Sequence, residues 1–269
     1  MTSLQAIILG LLQGLTEFLP VSSSGHLVLG QHLLHVQNPG VFSFDVYVHL
    51  GTLIAVCVIL WKDVLEIVRA LWRGAVSRKF GEAYRGSEHV RLGVAILVGT
   101  IPAAFIGLMY QKQIEAAFTD PKLVAVNLVI TGLLLFLTRL PRPVERKKMG
   151  LFSALLIGVA QAFAILPGIS RSGSTMSTAI YLKFSPVLAA RFSFLLSIPV
   201  IAGAALLEVK DIVQEGTSVG FAPILLGTAA AAISGYFAIK WLLRIMERGK
   251  FSWFSVYCLT LGLAGILFI

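Results

Sequence analysis

The side chains able to do chemistry concentrate in two short stretches. The first reads Gln13-Gly14-Leu15-Thr16-Glu17-Phe18-Leu19-Pro20-Val21-Ser22-Ser23-Ser24-Gly25-His26. The second reads Pro167-Gly168-Ile169-Ser170-Arg171-Ser172-Gly173-Ser174-Thr175. Gln13 and Glu17 are spaced i, i+4 and project from one face of a helix that Pro20 must end. A carboxylate among Leu, Phe and Ile costs several kcal/mol unless it meets a cation, a metal or hydrogen-bond donors. Glu17 is therefore a functional group or a protonated structural one.

Ser22, Ser23 and Ser24 suit the cap of a second short helix, and a helix start offers free N–H groups to an anion. His26 adds an imidazole that titrates near neutral pH. Alone, a serine cap or a single histidine is unremarkable chemistry. The second stretch adds Arg171 at another short-helix start, and guanidinium holds phosphate or carboxylate oxygens in a fork. Its alternative role is to neutralise Glu17. If the two stretches meet, the converging groups suit a highly anionic ligand, phosphate more than carboxylate. Gln13 and Gln161 read as polar packing between them. Asp45 and His49, also i, i+4, read as capping or interfacial groups, and the prolines of Thr100-Ile101-Pro102 and Ser197-Ile198-Pro199 as structural kinks.

The elements that must position these groups are membrane elements. Of 269 residues, 57% are hydrophobic and 13% charged, and the mean hydropathy is +0.87. A soluble domain carries about 25% charged residues, so a globular enzyme, a disordered chain and a nucleic-acid binder are excluded despite a net charge of +9. Cys57 and Cys258 fall in apolar runs and read as packing residues. The first residues lack the basic start and cleavage site of a signal peptide and are expected to belong to the fold.

Apolar runs long enough to span lie at 45–61, 92–110, 123–138, 187–207, 221–243 and 253–269. Segments 4–34 and 151–182 are apolar but broken at the two chemical stretches, and each half is too short to cross. Non-helical backbone at membrane depth must be buried in protein or line a cavity. Two re-entrant helix–loop–helix hairpins are therefore expected. Basic residues support them: loops 62–91, 139–150 and 244–250 carry seven, five and three Lys or Arg, and loops 111–122 and 208–220 two and one. Re-entrance puts the basic loops on one side, the cytoplasmic one.

At an offset of 148 residues, Ala6, Gly10, Gln13, Ser22, Ser24 and Gly25 match Ala154, Gly158, Gln161, Ser170, Ser172 and Gly173. Three spans follow each hairpin, and an odd number inverts the second copy. The expected fold is an all-α integral membrane protein with six full transmembrane helices plus two hairpins. They form one domain, 1–269, as an inverted-topology repeat with halves at about 1–145 and 146–269.

The whole chain resembles the undecaprenyl-diphosphate phosphatases of the bacitracin-resistance family. The two stretches look like that family's (E/Q)xxxE and PGxSRSxxT signatures. The resemblance implies an enzyme of the bacterial inner membrane, acting from the periplasmic face. It would remove one phosphate from undecaprenyl diphosphate to recycle the carrier lipid for peptidoglycan and other envelope polymers. It implies catalytic roles for Glu17, Ser23, His26 and Arg171. Gln13, Ser22, Ser24, Gly25, Ser170, Ser172, Gly173 and Thr175 would line the substrate site. It also implies a divalent cation, Mg²⁺ or Ca²⁺, held at Glu17; many members carry Glu where this chain has Gln13. The attacking group stays open between Ser23, His26 and a water activated by Glu17. Expected partners are the polyprenyl diphosphate and membrane lipids, with no nucleic acid; a homodimer is left open. The competing reading is a secondary transporter or flippase for a phosphorylated polyprenyl lipid.

Overall fold

The computed structural model describes residues 1–36, 41–77, 79–140, 148–215 and 219–268. Along them run α1 (Ser3–Phe18), α2 (Ser23–Leu33), α3 (Val41–Ile59), α4 (Trp61–Val76), α5 (Phe80–Gly86), α6 (Glu88–Met109) and α7 (Gln111–Ala117). Then come α8 (Pro121–Leu137), α9 (Leu151–Phe163), α10 (Arg171–Tyr181), α11 (Pro186–Glu215), α12 (Phe221–Glu247), a 3-10 turn (Phe251–Trp253) and α13 (Phe254–Phe268). Every regular element among the described residues is helical.

Local chemistry sets the boundaries. The Thr2 hydroxyl accepts the Gln5 N–H while the Gln5 side chain accepts the Thr2 N–H, a reciprocal cap that starts α1. The helix stops at Phe18, ahead of Pro20. Asp120 caps α8, whose first residue is Pro121, where a missing N–H costs nothing. At about 1.5 Å per residue, the 16 residues of α1 reach about 24 Å and the 13 of α9 about 20 Å, short of a hydrocarbon core about 30 Å thick. Each folds back on its neighbour, α1 on α2 and α9 on α10. These hairpins are compatible with re-entrance.

Four helical stretches are long and apolar enough to cross a membrane: α6, the first 22 residues of α11, α12, and α13 with its preceding turn. The bent pairs α3–α4 and α7–α8 bring the number up to six. They are compatible with the six expected spans, of which 45–61 and 123–138 fall on one arm each of the bent pairs, α3 and α8. Two differences concern what lies between. Much of the expected loop at 62–91 is helical, because Val64, Ile67, Val68 and Leu71 form an apolar stripe with charges on the other face of α4. An 82° bend turns α4 away from α3, as suits a helix lying along a bilayer surface. Helix α11 runs past its expected end at 207 to Glu215, absorbing much of the expected loop at 208–220. Most of the basic loop at 139–150 lies outside the described residues.

Helices from the first part of the chain pack against helices from the second. Helix α1 packs on α12, and α9 packs on α6; α3 meets α11, and α8 meets α13. The same small residues make both crossings. A Cβ added to Gly10 would overlap the carbonyl of Gly227, and one added to Gly158 would overlap the carbonyl of Gly99. Reciprocally, a Cβ on Gly227 would lie 3.1 Å from the Ala6 oxygen, and one on Gly99 3.1 Å from the Ala154 oxygen. Backbone-to-backbone contact holds α1 against α12 and α9 against α6. Phe18, at the end of α1, is buried edge-on against Phe194 of α11.

Candidate active site

The two hairpin turns touch. The Ser172 hydroxyl donates to the Leu19 carbonyl at 2.8 Å, and a Cβ on Gly25 would sit 3.3 Å from Gly168 Cα. Such buried turns need partners for their backbone groups. Helix α8 supplies them to the second turn. Asn127 Nδ2 donates to the Pro167 carbonyl at 2.7 Å, Thr131 Oγ1 to the Gly168 carbonyl at 3.0 Å, and the Ser170 N–H to Thr131 Oγ1 at 3.0 Å. Gly168 has φ +89° and its Cα faces α8 so closely that a side chain would strike Val124 and Asn127. Only glycine fits there.

At this junction lies a buried ion pair. Arg171 Nη2 donates to Glu17 Oε1 at 2.6 Å. The second oxygen, Oε2, accepts from Gln13 Nε2 at 2.9 Å and from the Ser23 hydroxyl at 2.5 Å. Glu17 is 7% exposed and Gln13 fully buried. The carboxylate thus meets a cation and two donors, the compensation its position demands. Arg171 Nη1 also reaches the Ser193 carbonyl at 3.4 Å, and the Ser193 hydroxyl lies 2.6 Å from Thr175 Oγ1. Guanidinium carries five N–H groups, so donors remain beyond these two bonds.

Ser22 caps α2 and Ser170 caps α10; their hydroxyls accept the N–H groups of Gly25 and Gly173. Ser22 and Ser170 also sit 3.3 and 3.2 Å from the hydroxyls of Ser24 and Ser172. The first N–H groups of both short helices have no acceptor within their own helix. Of the expected catalytic set, Glu17, Ser23 and Arg171 are gathered around one carboxylate. His26 is close in sequence but turned elsewhere: Nδ1 lies 2.7 Å from the Ser22 carbonyl and Nε2 2.7 Å from the Tyr257 hydroxyl of α13.

Beside the ion pair is a cavity of about 370 Å³. Its polar end is formed by Glu17, Ser23, Ser24, Ser170, Arg171 and Gln161. Most of its remaining lining is apolar, with Ile165, Ile169, Val200 and Ala204 among it, though Gln111 and Glu115 also line it, and it extends to Leu207, which is 49% exposed. Sequence reasoning placed several of its residues elsewhere. Asp45 and His49 are on its wall, and His49 Nε2 is 3.7 Å from Glu17 Oε2. Their i, i+4 spacing was the signal, and the folding of α3 against α1 gave it a direction. Gln161 was read as packing; it is 1% exposed, and neither of its amide atoms has a partner among the described residues. Nothing in the sequence marked Ser193, Tyr257 or Asn127.

These residues do not form a ready cage for a divalent cation. Among the described residues no three His, Cys, Asp or Glu side chains gather as metal ligands. Both oxygens of Glu17 are committed to Arg171, Gln13 and Ser23. Such an ion takes several oxygen ligands, more than this carboxylate alone supplies.

Fold and site together define a class: an all-helical, multi-pass membrane protein whose polar pocket is built where two short helical hairpins meet. The chain belongs to the bacitracin resistance protein BacA family, whose model matches residues 6–264. It is 41% identical over 273 residues to an undecaprenyl-diphosphatase of Salinibacter ruber, with 99% of each chain covered. Identity to the undecaprenyl-diphosphatases of Desulforapulum autotrophicum and Desulfosudis oleivorans is 43% and 44%, covering 98% and 97% of this chain and 97% of each relative.

Proposed function

We propose that the protein is a membrane phosphatase that hydrolyses undecaprenyl diphosphate to undecaprenyl phosphate and inorganic phosphate. One observation carries the chemistry: the Ser23 hydroxyl donates to a carboxylate whose other oxygen is held by Arg171, beside a cavity lined largely by apolar side chains. Glu17 takes the proton as Ser23 Oγ attacks the terminal phosphorus. The bond to the bridging oxygen breaks, and undecaprenyl phosphate leaves. Glu17 gives that proton to the departing phosphate oxygen and is a carboxylate again. It then takes a proton from water as the water attacks the phosphoserine, and returns it to Ser23 Oγ as inorganic phosphate is released. Arg171 and the helix-start N–H groups stabilise charge on the transferred group. The incoming phosphate competes for Arg171, which loosens its hold on Glu17 and strengthens that carboxylate as a base.

The lipid tail needs no motif. Each buried methylene contributes about 0.8 kcal/mol, so a chain lying along Ile165, Val200 and Leu207 keeps its affinity from the bilayer itself. A divalent cation, where one takes part, would find most of its oxygen ligands on the diphosphate, with Glu17, the carboxylate of the ion pair, beside them. On this reading the enzyme belongs to the inner membrane with its cavity toward the periplasm. The basic residues of 62–91, 139–150 and 244–250 support that placement, and the exchanged glycine packing supports repeat halves at about 1–145 and 146–269. That same packing suits a transporter. The test is phosphate release from a polyprenyl diphosphate by purified protein in detergent, where no gradient exists. Stoichiometric release supports the phosphatase; binding without release favours the transporter or flippase.

A further inference from the structure

His26 has both ring nitrogens engaged, and neither faces the Ser23–Glu17 pair. Nδ1 lies 2.7 Å from the Ser22 carbonyl and Nε2 2.7 Å from the Tyr257 hydroxyl. A carbonyl oxygen only accepts, so Nδ1 carries a proton. The ring is 7% exposed, and no carboxylate pairs with it among the described residues. An uncompensated imidazolium there would be costly, which leaves the neutral ring with a bare Nε2. The Tyr257 hydroxyl is then the donor. The two rings also lie parallel, tilted by 8° with centroids 5.6 Å apart.

The atom that His26 holds is unusual. Ser22 has φ +68° and ψ 92°, a backbone conformation that side-chain-bearing residues rarely adopt. Such strain persists only where its surroundings fix it. The Ser22 carbonyl receives the imidazole and the His26 backbone N–H, at 2.7 and 3.2 Å. The next residue is Ser23, whose hydroxyl must meet Glu17. We propose that Tyr257 is a positioning residue that fixes the tautomer and plane of His26, and that the pair braces the Ser22 backbone so that Ser23 is aimed at Glu17. His26 on this view neither attacks phosphorus nor takes the serine proton. The inference rests on the phosphatase reading only for its kinetic arm.

The experiment is ¹⁵N NMR of histidine-labelled protein in detergent, with Tyr257→Phe, His26→Asn and His26→Ala beside wild type. The His26 signals are assigned by their loss in His26→Asn. Wild type should show a neutral ring protonated at Nδ1, and Tyr257→Phe should move the Nε2 signal toward that of an unbonded nitrogen. In turnover, Tyr257→Phe should lower kcat about tenfold with KM within about twofold, the pattern of a misaimed group. Asn can still donate to the Ser22 carbonyl, so His26→Asn should exceed His26→Ala by about tenfold or more at equal thermal stability. An imidazolium or an Nε2-protonated ring in wild type, an unchanged kcat in Tyr257→Phe, or His26→Asn no better than His26→Ala overturns the proposal. A wild-type protein that releases no phosphate sinks the phosphatase reading alone, since the tautomer is read without turnover.

Discussion

Ser23 and Glu17 come from opposite sides of the first hairpin turn, and the Ser23 hydroxyl meets Glu17 Oε2 at 2.5 Å. That length is typical of O–H···O⁻ bonds, in which the proton already points at its acceptor. Bringing the two together requires the chain to reverse between Phe18 and Ser23, which it does through Pro20 and the strained Ser22. The hairpin thus brings together, from residues six apart, the hydroxyl and the carboxylate proposed as nucleophile and base.

If this pair does the chemistry, Ser23→Ala should lose about 10³-fold or more in turnover, and Glu17→Gln about 10²- to 10⁴-fold. Phosphate release in detergent measures both. Acid quench with labelled substrate should trap the phosphate on Ser23 in wild type. Near-normal turnover in Ser23→Ala excludes the serine route.

The ion pair of Arg171 and its proposed role at the phosphate separate by mutation. Arg171→Ala leaves Glu17 a buried carboxylate without its guanidinium partner, expected to cost about 3–5 kcal/mol of stability. Turnover should fall about 10²- to 10³-fold. Adding Glu17→Gln removes that charge, so Arg171→Ala/Glu17→Gln should regain most of the thermal stability and none of the activity. A double variant as unstable as the single one contradicts the ion-pair account. Arg171→Lys keeps the charge without the fork and should fall between.

For Gln161 the two readouts move in opposite directions. Its amide is buried beside the cavity with neither polar atom partnered among the described residues. Replacing such a group with an apolar one of like shape is neutral or stabilising. Gln161→Leu should therefore melt at or above the wild-type temperature. If the bound diphosphate uses the amide, KM rises about tenfold. An unchanged KM assigns Gln161 to packing.

Much of this was legible in the sequence, because the bilayer makes polar residues costly. Glu17, Arg171 and the serine runs stood out against apolar surroundings, and the broken segments could not be spans on length alone. The direction of each side chain was another matter. His26 looked like a member of the cluster because it lies three residues from Ser23; one helical turn carries its ring to Tyr257, more than two hundred residues away in the chain. His49 looked peripheral because it sits near the start of a span, and only the packing of α3 against α1 brings it to Glu17. Asn127 and Thr131 have no motif at all; what they serve is the buried backbone of another element. Periodicity and cost are local properties, whereas a partner across the fold is set by tertiary packing.

The exchanged glycine contacts make the last prediction. Gly158 leaves no room for a side chain at the Gly99 carbonyl, and Gly10 none at that of Gly227. Gly158→Ala and Gly10→Ala should each push a hairpin off its span, at a cost of about 1–3 kcal/mol. Gly203 is a helical control, since a Cβ there meets nothing within 4 Å. Gly203→Ala should gain about 0.5–1 kcal/mol from the lower flexibility of the unfolded chain. Thermal unfolding in one detergent compares all three. Activity adds a second discrimination, because α1 carries Glu17 and α9 carries Gln161. Displacing α1 should lower kcat through a misplaced base, whereas displacing α9 should act on KM. Alanine at Gly10 or Gly158 tolerated as well as at Gly203 would mean that the hairpins are not held by backbone contact.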